Sequence, residues 1–327
     1  MRHLVTGGSG FLGWRLARAI IRAGDSVRVY DLNPSDSLPE RAEFVKGDIR
    51  DRDKLFEAAR SVDVIHHLAG LMPQARASDE VMREVNVEGT RNALDAAVRA
   101  GARRFVFLSS MEVYGFPERA PFNEDHPKNP IGTYGHNKLE AEEMCIAYWK
   151  EHGLETVSLR PSTLVGPGIN EPTFLDLLGF IDRPPPLFPL PGGGKSRFQM
   201  TEVMDCVSAC LHAAEKPGVA GEAFNIGADN TLTMKDQVIA MFTSLGKKPP
   251  RFLSVPSGIA RGALLLAYKL GLSKLEPDHI RLMDTDMMMD CQKAARVLGW
   301  RPLKTNIDMI KETYEWLGKE RKDGAVR

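Results

Sequence analysis

A tyrosine and a lysine stand four residues apart in the segment Tyr134-Gly-His-Asn-Lys138. On an α-helix this spacing puts both side chains on one face, about 6 Å apart along the axis. A phenol with a pKa of about 10 is a poor base at neutral pH unless a nearby positive charge stabilises its phenolate. The pair is therefore a candidate general base that removes a proton from a hydroxyl, with Lys138 supplying the charge; taken alone, it also fits a surface tyrosine and lysine on an ordinary helix.

Ser110 lies in the segment Ser109-Ser110-Met111-Glu112-Val113-Tyr114-Gly115, which follows a predicted strand at its carboxyl end. Ligands bind at the carboxyl ends of the strands in open α/β sheets, and a serine hydroxyl there can donate to a reacting oxygen. We expect Ser110, Tyr134 and Lys138 to form one catalytic group.

The segment Thr6-Gly7-Gly8-Ser9-Gly10-Phe11-Leu12-Gly13 lies between the first predicted strand and the first predicted helix. Backbone amides and a helix N-terminus at such a place can face a pyrophosphate. Gly7 permits the tight turn, Gly10 lets phosphates approach the backbone, and Gly13 lets the helix pack closely on the strand. The segment predicts a dinucleotide site.

Asp31 ends the next predicted strand, about 20 residues further on, where a carboxylate can accept hydrogen bonds from ribose hydroxyls. A carboxylate there repels the extra phosphate of NADP, and no arginine directly follows it in Asp-Leu-Asn-Pro. The pattern favours NAD. Two observations leave alternatives open: Asp31 also fits the start of a turn before Pro34, and Arg28 on the same strand weakens the choice against NADP.

The elements that must position these residues alternate short β-branched runs with longer amphipathic segments, a pattern typical of a doubly wound, Rossmann-type parallel sheet. The predicted strands are His3–Thr6, Ser26–Tyr30, Glu43–Lys46, Val64–Leu68, Phe105–Ser109 and Thr156–Leu159. The main predicted helices are Leu12–Ala23, Val81–Ala100 and Tyr134–His152, each ending just before a glycine.

Beyond Pro161 the sequence changes character. Prolines and glycines crowd Gly166–Pro172 and Arg183–Gly194, where neither a helical nor a strand period is visible. We therefore divide the chain into an NAD-binding domain, residues 1–165, and a smaller α+β substrate-binding lobe, residues 166–327. Within this lobe a helix from about Thr201 to Ala214 and a strand Ala223–Ile226 are expected to pack back on the first domain, so that the two interleave.

The 43 basic and 43 acidic residues cancel, so no overall field favours nucleic acid or an anionic membrane, and we expect neither as a partner. The start MRHLVTGG runs directly into a strand and lacks signal-peptide features. The apolar stretch Gly258–Leu272 is interrupted by Arg261 and Lys269 and is shorter than the roughly 20 residues that span a bilayer. It predicts a buried helix.

Four cysteines show no close metal-type pairing, and such sparse use fits a reducing cytoplasm. We expect a cytoplasmic protein without a bound metal, in which the cysteines are small core residues: Cys145, Cys206, Cys210 and Cys291.

A series of short motifs, in order along nearly the whole chain, resembles the extended short-chain dehydrogenase/reductase family, in particular its nucleotide-sugar epimerase and dehydratase branch. Besides the glycine, serine and tyrosine segments above, the motifs are Gly47-Asp48-Ile49, His67-Leu-Ala-Gly70, Asn86-Val-Glu-Gly-Thr90, Leu159-Arg-Pro161, Val165-Gly-Pro-Gly168 and Phe224-Asn-Ile-Gly227. Asn137 and Gly70 replace a serine and an alanine common in the family.

Carried over by position, the resemblance implies that Ser110, Tyr134 and Lys138 are catalytic. It places Asp48 and Ile49 beside the adenine of NAD, and it places Leu68, Ala69 and Pro161 at the nicotinamide end together with Tyr134 and Lys138. Phe11 and Leu12 belong to the pyrophosphate loop with Gly7, Gly10 and Gly13. Asn86 is expected to be structural.

For the substrate, Gly192-Gly-Gly-Lys-Ser-Arg197 followed by Asp205 resembles the segment in which this branch binds nucleotide phosphates with an arginine. A guanidinium suits phosphate because it is planar, permanently charged and able to bind two oxygens. Arg281 lies near where a second such arginine is expected. Arg197 is the better candidate, although the same residue also occurs in relatives that act on steroids or other alcohols.

The resemblance implies an epimerase that oxidises the C4 hydroxyl of a nucleotide sugar to a 4-keto intermediate. Glu112 stands where dehydratases and decarboxylases of the family carry a base, but Met111 stands where some dehydratases carry an aspartic acid. A dehydratase or decarboxylase therefore stays open, as do an alcohol or steroid dehydrogenase and a dinucleotide-sensing regulator that is not an enzyme. We also expect a homodimer formed by the helices Val81–Ala100 and Tyr134–His152.

Overall fold

The structure is a computed structural model that describes residues 1–273, 275 and 277–322. Its strands are β1 (Arg2–Thr6), β2 (Ser26–Asp31), β3 (Glu43–Lys46), β4 (Val64–His67), β5 (Arg104–Leu108), β6 (Glu155–Pro161), β7 (Thr163–Val165), β8 (Leu187–Pro191), β9 (Met200–Glu202), β10 (Glu222–Ile226) and β11 (Arg251–Val255). Its α-helices are α1 (Gly13–Arg22), α2 (Arg52–Ala59), α3 (Asp79–Arg83), α4 (Gly89–Ala100), α5 (Gly132–His152), α6 (Pro172–Asp182), α7 (Val203–Glu215), α8 (Met234–Ser244), α9 (Ser257–Lys269), α10 (Pro277–Leu282) and α11 (Asn306–Lys322).

Seven strands form one parallel sheet in the order β10-β6-β5-β4-β1-β2-β3. Buried side chains of α1 and α7 cover one face, and those of α2, α4 and α5 cover the other. The strand order reverses at β1, which has β2 on one side and β4 on the other. Ligands bind at such a reversal point in doubly wound sheets. The predicted fold class is confirmed.

The predicted strands of the first half are all present, with ends displaced by no more than two residues. The predicted helix over residues 81–100 starts earlier, at Asp79, because the Ser78 hydroxyl accepts a hydrogen bond from the amide of Val81. It is continuous from α3 to α4 through one π-helical turn, Glu84–Glu88. Helix α5 runs from Gly132 to His152, as predicted within two residues, and stops at Gly153 in the left-handed conformation.

In the second half, α7 and β10 return to the first sheet, where β10 pairs with β6. A separate core forms around α6, α8, α11 and β8. The helix predicted from Thr201 begins only at Val203, because Thr201 and Glu202 belong to β9 and the Glu202 carboxylate caps the helix by accepting from the amides of Met204 and Asp205. The division at residue 165 remains a proposal.

Two predictions for the second half are wrong. The proline-rich stretch Arg183–Gly194, which showed no period, contains β8, paired in parallel with β11. The stretch predicted to be a buried helix forms α9, but no residue of this helix is buried. Its neighbour is α10, and its other side is open to solvent.

Within residues 1–273, 275 and 277–322, no helix is both long and apolar enough to cross a bilayer. All four cysteines are buried and unpaired, which confirms their prediction as core residues.

Candidate active site

The glycine loop after β1 is packed so closely that only glycine fits at two of its positions. Gly7 has a φ of +69°, and a Cβ there would lie 2.7 Å from the amide nitrogen of Ala69 at the end of β4. A Cβ on Gly13 would lie 2.3 Å from the Gly7 carbonyl oxygen. The loop is therefore pressed against the carboxyl end of β4 and against the first turn of α1, as the sequence predicts.

The N-terminus of α1 leaves donors available for an anion. Leu12 precedes the helix without a side-chain cap, and among the described residues the amides of Phe11 and Leu12 have no hydrogen-bond acceptor. The hydroxyl of Ser9 is buried in the same loop without a partner. Unsatisfied donors of this kind at a helix N-terminus fit a pyrophosphate.

Asp31 lies at the end of β2, directly beside this loop. One carboxylate oxygen accepts a hydrogen bond from the amide of Ser9 at 2.9 Å, and the other accepts from the amide of Leu32 at 2.7 Å. The two bonds fix the carboxylate at the rim of the loop, where it retains lone pairs for a ribose hydroxyl.

The residues expected around the adenine lie on the loop after β3. Asp48 is paired with Arg50 at 2.6 Å, and this hydrogen bond holds the pKa of the Asp48 carboxyl below its usual value. Ile49 is buried against Gly89, whose missing Cβ would lie 2.6 Å from the Ile49 side chain. Ile49 thus fills space behind the loop.

At the other end, the segment after β4 joins the glycine loop to the catalytic group. Leu68 and Ala69 are partly buried beside Gly7, and a Cβ on the next residue, Gly70, would lie 3.5 Å from the Lys138 ammonium. Pro161, at the end of β6, pairs with Ile226 of β10.

Asn86 holds the loop after β4 in place. Its side-chain amide exchanges two hydrogen bonds with the backbone of Leu71, at 2.7 and 2.8 Å. The structural role expected for this residue fits these contacts.

The three predicted catalytic residues come together where β5 ends and α5 begins. The Lys138 ammonium donates to the carbonyl oxygen of Leu108, the last residue of β5, at 2.8 Å and lies 5.7 Å from the centre of the Tyr134 ring. Ser110 follows two residues after Leu108, and its hydroxyl accepts a hydrogen bond from the amide of Glu112 at 3.2 Å. The one-face spacing predicted for Tyr134 and Lys138 is therefore present.

The pKa values of Tyr134 and Lys138 differ from the expectation that the phenol is made more acidic by the lysine. Burial and the negative charge of Glu112 raise the pKa of the Tyr134 phenol above its usual value, against the effect of Ser110. The acidifying effect expected of Lys138 is absent in the chain alone, because the lysine, with its lowered pKa, loses its charge before a phenol with a raised pKa ionises. Burial also lowers the pKa of Lys138 to about 8, which leaves it mostly protonated at neutral pH.

A buried ion pair lies one helical turn beyond Lys138. Glu142 accepts two hydrogen bonds from Arg160 of β6, at 2.8 and 2.6 Å, and its negative charge opposes the lowering of the Lys138 pKa. Arg160 also donates to the Tyr114 hydroxyl at 2.7 Å, which donates in turn to Asn225 of β10 at 2.6 Å. The network connects α5, β6 and β10 beneath the catalytic group.

Glu112 has a partner that the sequence did not predict. His279 of α10 approaches it with 3.6 Å between the imidazole Nε2 and a carboxylate oxygen, and the pairing with the Glu112 carboxylate raises the pKa of His279. Both side chains are only partly exposed. A single histidine 167 residues away from its partner gives no local pattern, so only the folded arrangement of the two halves reveals this contact.

Neither candidate substrate arginine contacts the catalytic group among the described residues. The side chain of Arg197 is exposed and forms no hydrogen bond or ion pair there, while its backbone is held by Asp286 and Met287. Arg281 lies two residues beyond His279 on α10, is 56% exposed, and pairs with Asp278 at 3.6 Å. Arg197 is thus the freer of the two guanidinium groups.

The arrangement joins a loop suited to a dinucleotide with a phenol, an ammonium and a hydroxyl suited to moving one proton. Next to them, Glu112 and His279 form a second pair able to take up or release protons. This combination fits oxidation of an alcohol, with further proton transfer at a neighbouring position.

Comparison with known proteins agrees with this chemistry. A family model described as "NAD dependent epimerase/dehydratase family" matches residues 3–227.

Three proteins that are similar to this chain differ in their described activities. The chain is 36% identical over 315 residues to the uncharacterized protein y4nG of Sinorhizobium fredii, covering 96% of this chain and 78% of that one. It is 25% identical over 336 residues to the mouse (Mus musculus) sterol-4-alpha-carboxylate 3-dehydrogenase, decarboxylating, covering 98% and 91%. A crystal structure of UDP-galactose 4-epimerase superposes with a TM-score of 0.75 at 27% identity, covering 98% and 99%.

Proposed function

Because the chain belongs to the NAD-dependent epimerase/dehydratase family, we propose that it is an NAD-dependent 4-epimerase of a nucleotide sugar. The family membership supports the cofactor and the class of enzyme. The sugar, the nucleotide and the stereochemical outcome are our inference.

One observation carries the proposal: the dinucleotide loop and the proton-transfer group meet at the end of β4. Ala69 is packed against Gly7 of the loop, and the adjacent Gly70 is packed against Lys138. A cofactor held by the loop is thereby directed towards Tyr134 and Ser110.

The residues that would hold NAD are those the sequence predicts. Gly7, Gly10, Phe11, Leu12 and Gly13 would bind the pyrophosphate through backbone amides, with Asp31 on the adenine ribose. Asp48 and Ile49 would border the adenine, and Leu68, Ala69 and Pro161 would line the nicotinamide end. When bound, NAD supplies the acceptor and later the donor of a hydride.

The protein's own part is to move the proton. Tyr134, as phenolate, would take the proton of the C4 hydroxyl as the C4 hydrogen leaves as hydride, and Ser110 would donate to the resulting carbonyl oxygen. The 4-keto sugar would turn over within the site, and Tyr134 would return its proton as the hydride adds to the opposite face. Lys138, in its protonated form, would stabilise the phenolate stage through its positive charge.

The nucleotide part of the proposal depends on Arg197. Its guanidinium is exposed and has no protein partner among the residues that the structure describes, so it is available for a diphosphate. Arg281 would be a second, weaker contact, because it already pairs with Asp278.

A dehydratase or decarboxylase is the second candidate, and the contact between Glu112 and His279 favours it. A carboxylate and an imidazole at 3.6 Å can serve as base and acid at the carbon next to the ketone. His279 would then supply the acid that Met111 lacks.

An alcohol or steroid dehydrogenase is the third candidate, favoured by the similarity to the sterol dehydrogenase of mouse. It differs from the others in releasing reduced cofactor. A dinucleotide sensor without catalysis is disfavoured because the buried Lys138 and the neighbouring Tyr134 are both retained.

The test is to incubate the full chain with UDP-, GDP-, dTDP- and CDP-sugars and to identify the products by NMR, with solvent deuterium uptake at C5 as a second readout. We expect a C4 epimer without deuterium at C5. Deuterium at C5 with loss of water or carbon dioxide would replace the epimerase by the second candidate. Net NADH formation from a sterol or a simple alcohol, with every sugar unchanged, would replace it by the third.

We also propose a cytoplasmic homodimer. Four unpaired buried cysteines suit a reducing compartment, and α4 and α5 lie side by side, joined by a hydrogen bond of 2.7 Å between Tyr148 and Asp95. Trp149 of α5 and Val81 of α3 are the exposed large apolar side chains among the described residues of these helices. Light scattering at micromolar concentration tests the dimer, and a monomer would contradict it.

A further inference from the structure

Helix α9 presents an apolar face to solvent. Its side towards α10 carries partly buried residues, among them Arg261, which pairs with Asp284 at the end of that contact. The opposite side, read at helical spacing, consists of Ile259, Gly262, Ala263, Leu266 and Lys269, and Leu270 continues it at the helix end. A single lysine is thus the only polar side chain on the outward face, the reverse of the usual pattern for a surface helix.

The apolar side chains of this face are well exposed. Ile259, Leu266, Leu270 and Leu272 are 66%, 58%, 64% and 79% accessible to solvent. Single exposed leucines are common on proteins, but a continuous row of them marks an interaction surface. We call these four residues the α9 stripe.

The stretch of sequence that contains the α9 stripe carries charge of one sign. Residues 237–275 contain no aspartate or glutamate, although the whole chain is neutral. The same stretch contains six basic residues: Lys247, Lys248, Arg251, Arg261, Lys269 and Lys274. Lys247 and Arg261 pair with acidic residues outside the stretch, while Lys248, Arg251 and Lys269 are exposed. The neutral total therefore conceals a basic stretch of sequence that includes the exposed apolar helix, on which Lys269 is exposed and Arg261 is paired with Asp284.

We propose that α9 lies on an anionic lipid surface, with the α9 stripe inserted at the level of the headgroups and the basic residues facing lipid phosphates. An apolar helix face flanked by lysine and arginine is the pattern of helices that lie in the membrane interface. With 13 residues α9 is about 20 Å long, less than the roughly 30 Å of the hydrocarbon layer, so it would lie in the plane of the surface. This inference differs from the expectation of no membrane partner and is independent of the proposed reaction.

A lipid surface suits this face better than a second copy of the chain. A two-fold interface on α9 would bring two segments, each with six basic and no acidic residues, towards one another. An anionic bilayer, in contrast, complements both the apolar and the basic part of the face. It would also place the candidate active site near the bilayer, because α9 packs on α10, which carries His279.

The test is flotation of the full chain with vesicles of phosphatidylcholine alone and of phosphatidylcholine mixed with phosphatidylglycerol. We expect at least about tenfold tighter binding to the anionic vesicles, weakened by added salt. The double substitution Leu266→Glu and Leu270→Glu should reduce this binding at least about tenfold, since it removes apolar area and adds repulsion. Lys269→Glu should reduce it less.

Leu303→Glu is the matched control, because Leu303 is 87% exposed at a site outside α9, and it should leave binding unchanged. Absence of vesicle binding by the unaltered chain would overturn the proposal. If the control and the α9 variants lost vesicle binding to the same extent, the proposal would also be overturned. A change of oligomeric mass on substitution in α9, with vesicle binding unaffected, would assign the face to a second copy instead. Retained NAD binding verifies folding of each variant.

Discussion

The two regions that meet at the candidate site are built in opposite ways. On one side, Lys138, Glu142 and Arg160 are at most 4% exposed, and each forms hydrogen bonds with another secondary-structure element: Lys138 donates to β5, and Arg160 of β6 donates to Glu142 of α5. On the other side, α9 and α10 carry exposed side chains, and Arg281 is 56% exposed. The comparison indicates that the proposed proton-transfer group is supported from a buried interior, whereas the groups next to it lie on an exposed surface.

The ion pairs of the two regions illustrate the difference. Arg160 and Glu142 form a bidentate pair with both side chains 3% exposed, while Arg281 and Asp278 are separated by 3.6 Å in solvent. Removing one partner of a buried pair leaves an uncompensated charge, but an exposed pair is screened and contributes little. The predictions below use this contrast, beginning with the largest expected effect.

Tyr134→Phe should decrease turnover by roughly 10² to 10⁴-fold while NAD stays bound, because the general base is lost and the loop after β1 is unchanged. The measurement is steady-state turnover of the identified nucleotide sugar together with NAD binding. Tyr148→Phe, on the same helix, should retain activity. Equal activity of the two variants would remove the tyrosine from the mechanism.

Glu142→Gln should lower the free energy of unfolding by about 3 to 5 kcal/mol, because Arg160 would be left buried without its counter-charge. Urea unfolding measures this change. Glu140→Gln, two residues earlier and 41% exposed in its pair with Arg83, should lower it by less than about 1 kcal/mol. A similar small effect for both would show that burial does not distinguish the two regions.

If the protein is an epimerase, Glu112→Gln should reduce its turnover by less than about tenfold. If it is a dehydratase, the same substitution should reduce turnover by about 10²-fold or more, because only the dehydratase needs a base at C5. Turnover of the preferred substrate is compared for the substituted and unaltered chains. If Glu112→Gln reduces epimerase activity as much as Tyr134→Phe does, Glu112 must take part in the reaction at C4, contrary to this prediction.

His279→Gln should have the smallest effect. It should lower the free energy of unfolding by about 1 kcal/mol or less, because its pair with Glu112 is partly exposed. The pairing with the Glu112 carboxylate raises the pKa of His279 above 6.5, against its burial, and Glu171 and Asp278 also favour the protonated form. The stabilisation is therefore fully present below about pH 6.5 and is lost as the pH rises through the raised pKa.

Thermal unfolding of the unaltered chain and His279→Gln from about pH 5 to 8 tests this dependence. The difference should shrink towards the alkaline end, while His136→Gln, an exposed histidine on α5, should show no such trend. A constant difference across the range would mean that the contact is not an ion pair.

The sequence predicted the first region well because its constraints are local. The glycine spacing, the four-residue interval from Tyr134 to Lys138 and the strand before Ser110 each depend on a few neighbouring residues. Glu142 had a readable signal, since it lies one helical turn beyond Lys138, but its buried partner Arg160 comes from another strand. Spacing alone therefore predicted that Tyr134 and Lys138 share a face of the helix, but it did not predict the buried pair of Glu142 and Arg160 next to them.

The second region was predicted poorly because its structure depends on distant contacts. A proline-rich stretch forms β8 only by pairing with β11, which lies more than 60 residues later in the chain. The apolar composition of α9 predicted burial, but nothing in the chain covers its outer face among the described residues. His279 could not be assigned without knowing that α10 lies against Glu112.

The most direct test of the proposed reaction at C4 uses a UDP-sugar labelled with deuterium at C4. The position of the deuterium is determined by NMR after one turnover of the full chain. Our account predicts that the deuterium returns to C4 of the epimerised product, because Tyr134 and the bound cofactor act twice on the same carbon. Deuterium found at C6, or in released reduced cofactor, would contradict the epimerase reaction. Label that never leaves C4 in unchanged substrate, under conditions in which NAD is bound, would contradict the catalytic role of the Tyr134 and Lys138 pair itself.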